Sequence, residues 1–375
     1  MDLSWSAHEE RFRQEAKDWL TENVPQPLPS GDTRAGFAAH VEWERRLFNA
    51  RWSVVSWPRK YGGRDASLWQ WLIFEEEYYR AGAPQRVTQN GIFLLAPTLF
   101  AFGTAEQQDR YLPRMAAARD LWAQGWSEPG AGSDLAAVAS RAVRDEARGG
   151  WRLTGQKTWT TRGAFCTHLF GLFRTDPAAE RHRGLTYFLL PLNAPGVTVR
   201  GFERLDGDEG FAEVFLDHVF VPDRDVLGAV GQGWQVAMAT TGSERGLTLR
   251  SPGRFTHAAD RLVELARGSA DPRLRERAVQ SWIDARAYQL FTLRQVSGIV
   301  AGRQVGAESS LNKLFWSELD IRLHETALDL LGEEGAADGP WSRGFLFSLA
   351  GPIYAGTNEV QRNIVAERLL GLPRK

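Results

Sequence analysis

The chain has 375 residues, with 45 Lys+Arg against 46 Asp+Glu and a formal net charge of -1; 43% of residues are hydrophobic and 24% charged. These values exclude a disordered chain, a collagen-like chain and a polyanion-binding tail protein. The near-neutral balance also argues against a nucleic-acid binder, which needs a basic face. The length suits two or three domains, each with its own core. Cys166 is the single cysteine, so no intrachain disulfide and no Cys-based zinc site is expected, and a reducing, cytoplasmic setting fits. Met1, Asp2, Leu3, Ser4 and Trp5 show no basic stretch leading into an apolar run, so no signal peptide is expected, and no segment has the length of a membrane span.

In chain order, residues 1–120 read as helical. Phe12, Ala16, Trp19 and Leu20 recur at helix spacing among Glu and Arg. Trp57-Pro58 and Tyr61-Gly62-Gly63 interrupt with a loop. Leu72 to Tyr79 and Phe93 to Phe102 read as apolar helices, and Pro113 reads as near the start of a short one. From 121 to 231 the texture becomes β-prone. Trp151 to Thr161, His168 to Thr175, Leu185 to Leu192, Val197 to Phe202 and Glu213 to Val221 are short runs parted by Gly, Pro and Asp. They predict a β-barrel or sandwich domain. From 232 to 375 the helical period returns: Val279, Ile283, Leu290 and Leu293 share one face, as do Val360, Ile364, Val365 and Leu369. Segregated runs of helices, strands and helices imply an α+β multidomain chain rather than a βαβ sheet.

Four segments carry chemistry, each with a plainer reading beside it. In Glu128-Pro-Gly-Ala-Gly-Ser-Asp134, the glycines permit close backbone approach, and Ser133 and Asp134 suit a phosphate or a helix cap. The plainer reading is a capped turn. It is no dinucleotide fingerprint, because Leu135 stands where the third glycine belongs. Gly155 to Thr161 is a strand of Thr and Trp that suits a flavin edge and face, or is simply half-buried. Glu244-Arg245 follows Ala237, Ala239, Thr240, Thr241 and Gly242. A carboxylate on a small-residue face is desolvated and basic in a cavity, and otherwise is half of a solvated pair. Ile353 to Gln361 is a loop entering a helix, whose first N–H groups suit an anion or need only a cap. The seven histidines form no metal-ligand pattern.

The order and spacing of these segments resemble the acyl-CoA dehydrogenase family over essentially the whole chain. The elements that carry the resemblance are Trp126 to Asp134, Lys157 to Thr161, Gly231-Gln-Gly-Trp234, Glu244-Arg245, and Tyr354-Ala-Gly-Thr-Asn-Glu-Val-Gln-Arg362. The resemblance implies an N-terminal α-helical domain, a middle β domain and a C-terminal four-helix-bundle-like domain. It implies FAD in a groove between the β domain and the C-terminal helices. Gln124, Trp126 and Ser127 would line the flavin. Trp159 and Thr161 would face its rings, with the Thr161 hydroxyl near N5, and Thr357 and Glu359 would approach the cofactor. Ser133, Arg245, Tyr354 and Ala355 would hold the acyl thioester, carried on CoA or on a carrier protein. The implied reaction is α,β-dehydrogenation, in which a carboxylate removes the α-proton as hydride leaves the β-carbon. Charge growing on the thioester oxygen needs donors, and a backbone N–H at Ala355 would supply one. The implied electron acceptor is an electron-transferring flavoprotein, and the implied assembly is a homotetramer.

Two departures from the family pattern matter. Most members carry the base as Glu in a Tyr-Glu-Gly-Thr loop, where this chain has Ala355. A minority resembling isovaleryl-CoA dehydrogenase place it on a helix as Glu-Arg, which Glu244-Arg245 matches. Glu244 is therefore the expected base. The Arg and Phe-Gly stretch that reaches a partner subunit's FAD has no counterpart between Arg254 and Arg277, which points to different contacts or a hetero-oligomer. The competing readings are a flavin monooxygenase on the same fold, which needs no Glu base, and a non-catalytic subunit of a mixed complex.

Overall fold

The computed structural model describes residues 4–245, 251–303 and 306–374, with the side chains of 243–245 outside the described set. Two compact units share the chain, one made of residues 1–24, 66–83 and 245–375, the other of 25–65 and 84–244.

The first unit is helical. Helix α1 (Ala7–Asn23) starts at a reciprocal Ser6/Glu9 capping box and buries Phe12, Ala16 and Leu20. Helix α3 (Leu68–Arg80) starts the same way at Ser67 and Gln70. These pack with α7 (Pro252–Ala266), α8 (Pro272–Val300), α9 (Ser309–Leu331), α10 (Pro340–Ser348) and α11 (Asn358–Ile364). Phe255, Leu262, Tyr288, Trp316, Leu319 and Leu323 form the core. The buried face of α8 is the narrow one: Ala278, Ser281, Ala285, Tyr288, Thr292 and Val296. Val279, Ile283 and Leu290, which share a face as the spacing predicts, are exposed rather than packed inside this chain.

The second unit holds α2 (Arg34–Asn49), α4 (Ala96–Phe102), α5 (Ala105–Ala116), α6 (Gly233–Arg245) and eight strands. Pro113 does not begin a helix. It lies inside α5, whose start is fixed by the Thr104/Gln107 capping box, and the helix stops three residues after it. Residues 90–95 form a π-helical turn running into α4.

The strands are β1 (Trp122–Gly125), β2 (Arg141–Asp145), β3 (Gly150–Thr161), β4 (His168–Arg174), β5 (Leu185–Pro191), β6 (Val197–Phe202), β7 (Phe211–Pro222) and β8 (Val226–Leu227). They form one mixed sheet in the order β6-β7-β3-β2-β4-β5-β8, with β1 beside β4. The pairs β1/β4 and β2/β4 are parallel and the others antiparallel. Leu153, Leu169, Phe173, Phe188, Leu190, Val214 and Val219 fill the core under this sheet. Among the described residues, no helix is long and apolar enough to cross a membrane.

Candidate active site

The end of β1 delivers the first site residues. Its parallel pairing with His168 to Gly171 carries Gln124 and then Trp126 into the sheet unit. Trp126 is buried and meets Phe170 and Tyr187 edge-on, with ring centroids 5.6 and 5.3 Å away. The Nε1 of Trp126 and the Nε2 of Gln124 are buried donors with no acceptor among the described residues. Ser127 is half-buried, and its carbonyl accepts the Thr158 N–H at 2.9 Å, joining the loop to β3.

The loop that follows is anchored at both ends. At its start, Lys157 donates to Glu128 Oε1 at 2.7 Å and to the Leu172 carbonyl at 2.8 Å, and the Ala139 and Ser140 N–H groups also donate to the carboxylate. Burial alone would raise the Glu128 pKa; Lys157 and these N–H donors outweigh it and hold the carboxyl below its ordinary value. Burial pushes the Lys157 pKa down, against the pull of Glu128. At the far end, Arg174 donates to the carbonyls of Ala136, Val138, Ala179 and Arg181, and Arg181 pairs with Asp134 at 2.7 Å. Asp134 therefore caps no helix here. Between the anchors, Gly130, Gly132 and Ser133 are exposed. Neither glycine has a positive φ, and a Cβ on either would meet nothing within 4 Å. The fold itself does not require glycine at these positions.

The end of β3 presents Trp159 and Thr161. Register slips between Lys157 and Thr160, and at this bulge Trp159 takes φ 56°. Trp159 is 60% exposed, with Phe202 and Phe211 packed edge-on at 5.3 and 5.5 Å. Thr161 is half-buried and pairs with Phe211. The buried Thr160 hydroxyl has no partner among the described residues.

Helix α6 starts at Gly233, where a Cβ would stand 2.6 Å from Thr186 Cα, so only glycine lets it approach β5. Thr240 is fully buried, 2.8 Å from the Thr98 hydroxyl and 3.4 Å from Tyr187 Oη. Tyr187 thus ties α6 to Trp126. Position 244 is one turn beyond Thr240 on the same helix face. The side chains of Glu244 and Arg245 lie outside the described residues.

In the helical unit, residues 353–361 form the loop entering α11. Tyr354 lies against Trp316 and Phe347, with centroids 5.9 and 6.4 Å apart. Ala355 and Gly356 are both left-handed, with φ 56° and 81°. The fully buried Gln361 donates to their carbonyls at 3.0 and 3.3 Å. The Thr357 hydroxyl caps α11 by accepting the Val360 N–H. Glu359 is exposed, with Arg362 3.8 Å away. Beneath the loop, Asn358 accepts from buried Lys313 at 2.7 Å and from Ser317 at 3.1 Å.

Family models for the acyl-CoA dehydrogenase N-terminal, middle and C-terminal domains match residues 6–119, 123–219 and 231–370. The acyl-CoA dehydrogenase IpdE1 of Mycobacterium tuberculosis is 41% identical, covering 98% of each chain. The chain belongs to the acyl-CoA dehydrogenase family. It is an FAD-dependent oxidoreductase acting on acyl-CoA. Among solved structures, the Tcur3481-Tcur3483 steroid ACAD matches all of both chains at TM-score 0.89 and 26% identity. The ChsE4-ChsE5 complex of Mycobacterium tuberculosis matches at TM-score 0.84 and 26% identity, again over all of both chains.

The sheet unit suits the cofactor. Two buried donors without acceptors among the described residues, two exposed glycines free of any folding requirement and an exposed aromatic at a left-handed bulge are features an extended, flat dinucleotide satisfies. Sequence reasoning missed the Glu128–Lys157 pair, Arg174 and Tyr187 as supports of this site, and Gln361 as the support of the 355–356 turn in the helical unit. A lysine within a β-prone run opposite a motif glutamate was the available signal for the first.

Proposed function

We propose that the enzyme dehydrogenates a bulky, ring-bearing acyl thioester, with Glu244 as the base. The observation that carries the base assignment is Ala355: a methyl group stands where most of the family carries its proton acceptor, while Glu-Arg stands on α6. FAD, when bound, would supply the acceptor for the hydride that leaves the β-carbon. Glu244 accepts the α-proton from a helix whose preceding residues Ala237, Ala239, Thr240, Thr241 and Gly242 are small. The backbone of the left-handed Ala355 turn donates to the thioester oxygen as charge grows there. Gln124, Trp126, Ser127, Trp159 and Thr161 hold the flavin, and the motif adds Thr357 and Glu359. Ser133, Arg245 and Tyr354 position the thioester.

The steroid ACAD named among the solved structures supports the substrate class. Electrons pass onward to an electron-transferring flavoprotein, on the strength of the family resemblance. The domains are taken as 1–120, 121–231 and 232–375. Anaerobic titration with acyl-CoA and acyl-carrier thioesters, from short straight chains to polycyclic acids, tests the reading through flavin absorbance. Bleaching by the polycyclic members is expected; preference for short straight chains sinks the substrate class.

The enzyme works as an oligomer, and we favour one completed by a second, related chain over a homotetramer. Two solved relatives are named as pairs of components. The exposed Val279, Trp282, Ile283, Leu290 and Val300 of α8 give an apolar face for association. Native mass and flavin content, for the chain expressed alone and with a related partner, decide this. A yellow homotetramer formed alone overturns the mixed assembly.

A further inference from the structure

We propose that Asp32 is a positioning residue for the flavin, holding the end of β3 and its aromatic clamp together from 130 residues away. The proposal rests on the reading that Trp159 and Thr161 face the flavin. Asp32 precedes α2 in sequence, next to its Thr33 cap, and belongs to none of the segments that carry the family resemblance. Its carboxylate is divided between two arginines. Oδ1 accepts Arg162 Nε at 2.6 Å and Oδ2 accepts Arg204 Nη1 at 2.7 Å. Asp32 and Arg162 side chains are 7% and 4% exposed.

Each arginine controls one side of Trp159. Arg162 follows Thr161 directly, is itself left-handed at φ 54°, and its N–H donates to the Gly210 carbonyl at 2.9 Å. Arg204 lies in the turn from β6 to β7, whose flanking residues Phe202 and Phe211 clamp Trp159. Its guanidinium lies on Gly210, where a Cβ would come within 2.5 Å of Nη1, and it also holds Asp206 at 2.7 Å. One carboxylate therefore joins the strand end that carries Trp159 and Thr161 to the turn that grips it.

The backbone explains why this joint matters. Trp159 and Arg162 are non-glycine residues in the left-handed region, with Thr160 and Thr161 between them. Such residues persist only where their surroundings over-determine them. Loss of the bulge shifts register by one residue, which turns every side chain of the shifted strand end to the opposite face of the sheet. Without Asp32, Arg162 and Arg204 lose their shared counter-charge, and the constraint on the bulge is released.

The test uses the flavin-loaded enzyme and FAD itself as the probe. Asp32→Asn, Trp159→Ala and Thr161→Val are compared for FAD dissociation constant and visible circular dichroism of the flavin, well below the melting temperature. Asp32→Asn is expected to weaken FAD about tenfold and to change the flavin dichroism while the far-ultraviolet spectrum stays that of the parent. A lower melting temperature with unchanged FAD affinity and dichroism overturns the proposal, because Asp32 is then structural only. If Asp32→Asn fails to fold, Arg162→Lys, which keeps the cation and loses the fork, must show the same flavin changes, and their absence overturns it. Flavin changes in Trp159→Ala and Thr161→Val but not in the Asp32 or Arg162 variants leave the strand reading standing and remove Asp32. No change in any variant removes the strand reading, and this proposal with it.

Discussion

Lys157, fully buried in β3, donates to Glu128 at 2.7 Å, so the glycine loop is fixed to the very strand that carries Trp159 and Thr161. The two most informative motifs of the sequence are thus one structural unit. Breaking a buried pair leaves an uncompensated charge and costs about 3–5 kcal/mol, whereas removing both charges costs less. Lys157→Met and Glu128→Gln are each expected to destabilise by about that amount in urea unfolding. The double variant is expected to recover part of the loss. Additive single losses in the double variant contradict the pairing.

The same pair sets an acid dependence. The folded-state pKa of Glu128 is lowered, so its contribution is fully present above the unfolded value of ~4.3 and is lost as pH falls through the folded value. Parent stability is expected to fall more steeply below pH ~4.3 than that of Glu128→Gln. Parallel stability curves for the two proteins remove Glu128 as an acid-sensitive group.

The loop before α11 gives a prediction of opposite sign at two neighbouring positions. Ala355 in the left-handed region carries strain of roughly 1–2 kcal/mol, while glycine there adds roughly 0.4–1 kcal/mol of unfolded-state entropy. Relief of strain equals or outweighs the added entropy, so Ala355→Gly is expected to be neutral or stabilising by up to about 1.6 kcal/mol. Gln361→Leu strips the donor from two carbonyls and is expected to cost about 1–3 kcal/mol. Chemical denaturation measures both, and a strongly destabilised Ala355→Gly contradicts the strain argument.

The large features of this fold were legible because they repeat. Helix periodicity and five β-prone runs located many of the elements, and the motif order carried the family. Strands β1, β2 and β8 escaped because they have four, five and two residues and borrow their partners from distant sequence. The Val279–Ile283–Leu290 face was legible as a face but not as an outward one, since Ala278, Ser281 and Ala285 pack α8 more closely than large side chains allow. Lys157–Glu128 and Asp32–Arg162 span 29 and 130 residues, and charge alone does not say which carboxylate a buried cation meets.

Thr161 offers a test of the strand end that separates chemistry from retention. Thr161→Val removes one hydroxyl and keeps the shape. One neutral hydrogen bond is worth about 0.5–1.5 kcal/mol, too little to release a flavin that the other proposed contacts would also hold. The variant is expected to stay yellow and to bleach more slowly with substrate. A folded variant that has lost all FAD places this strand wrongly.

The base assignment has the most direct test. Glu244→Gln preserves shape and removes the proton acceptor, so FAD and acyl thioester are expected to bind as before. Flavin bleaching by substrate is expected to fall ~10²-fold or more, the scale of a lost general base. Bleaching at the parent rate shows that Glu244 is not the base. Glu244→Ala combined with Ala355→Glu then moves the carboxylate to the loop position that most of the family uses. The backbone at 355 is already left-handed, so the longer side chain adds no further strain there. Recovery is expected to be partial, because misplacement by about 1 Å costs ~10²-fold. If Glu244→Gln is inactive and the double variant gains nothing, Glu244 remains the base, and the equivalence of the two positions in this enzyme is lost.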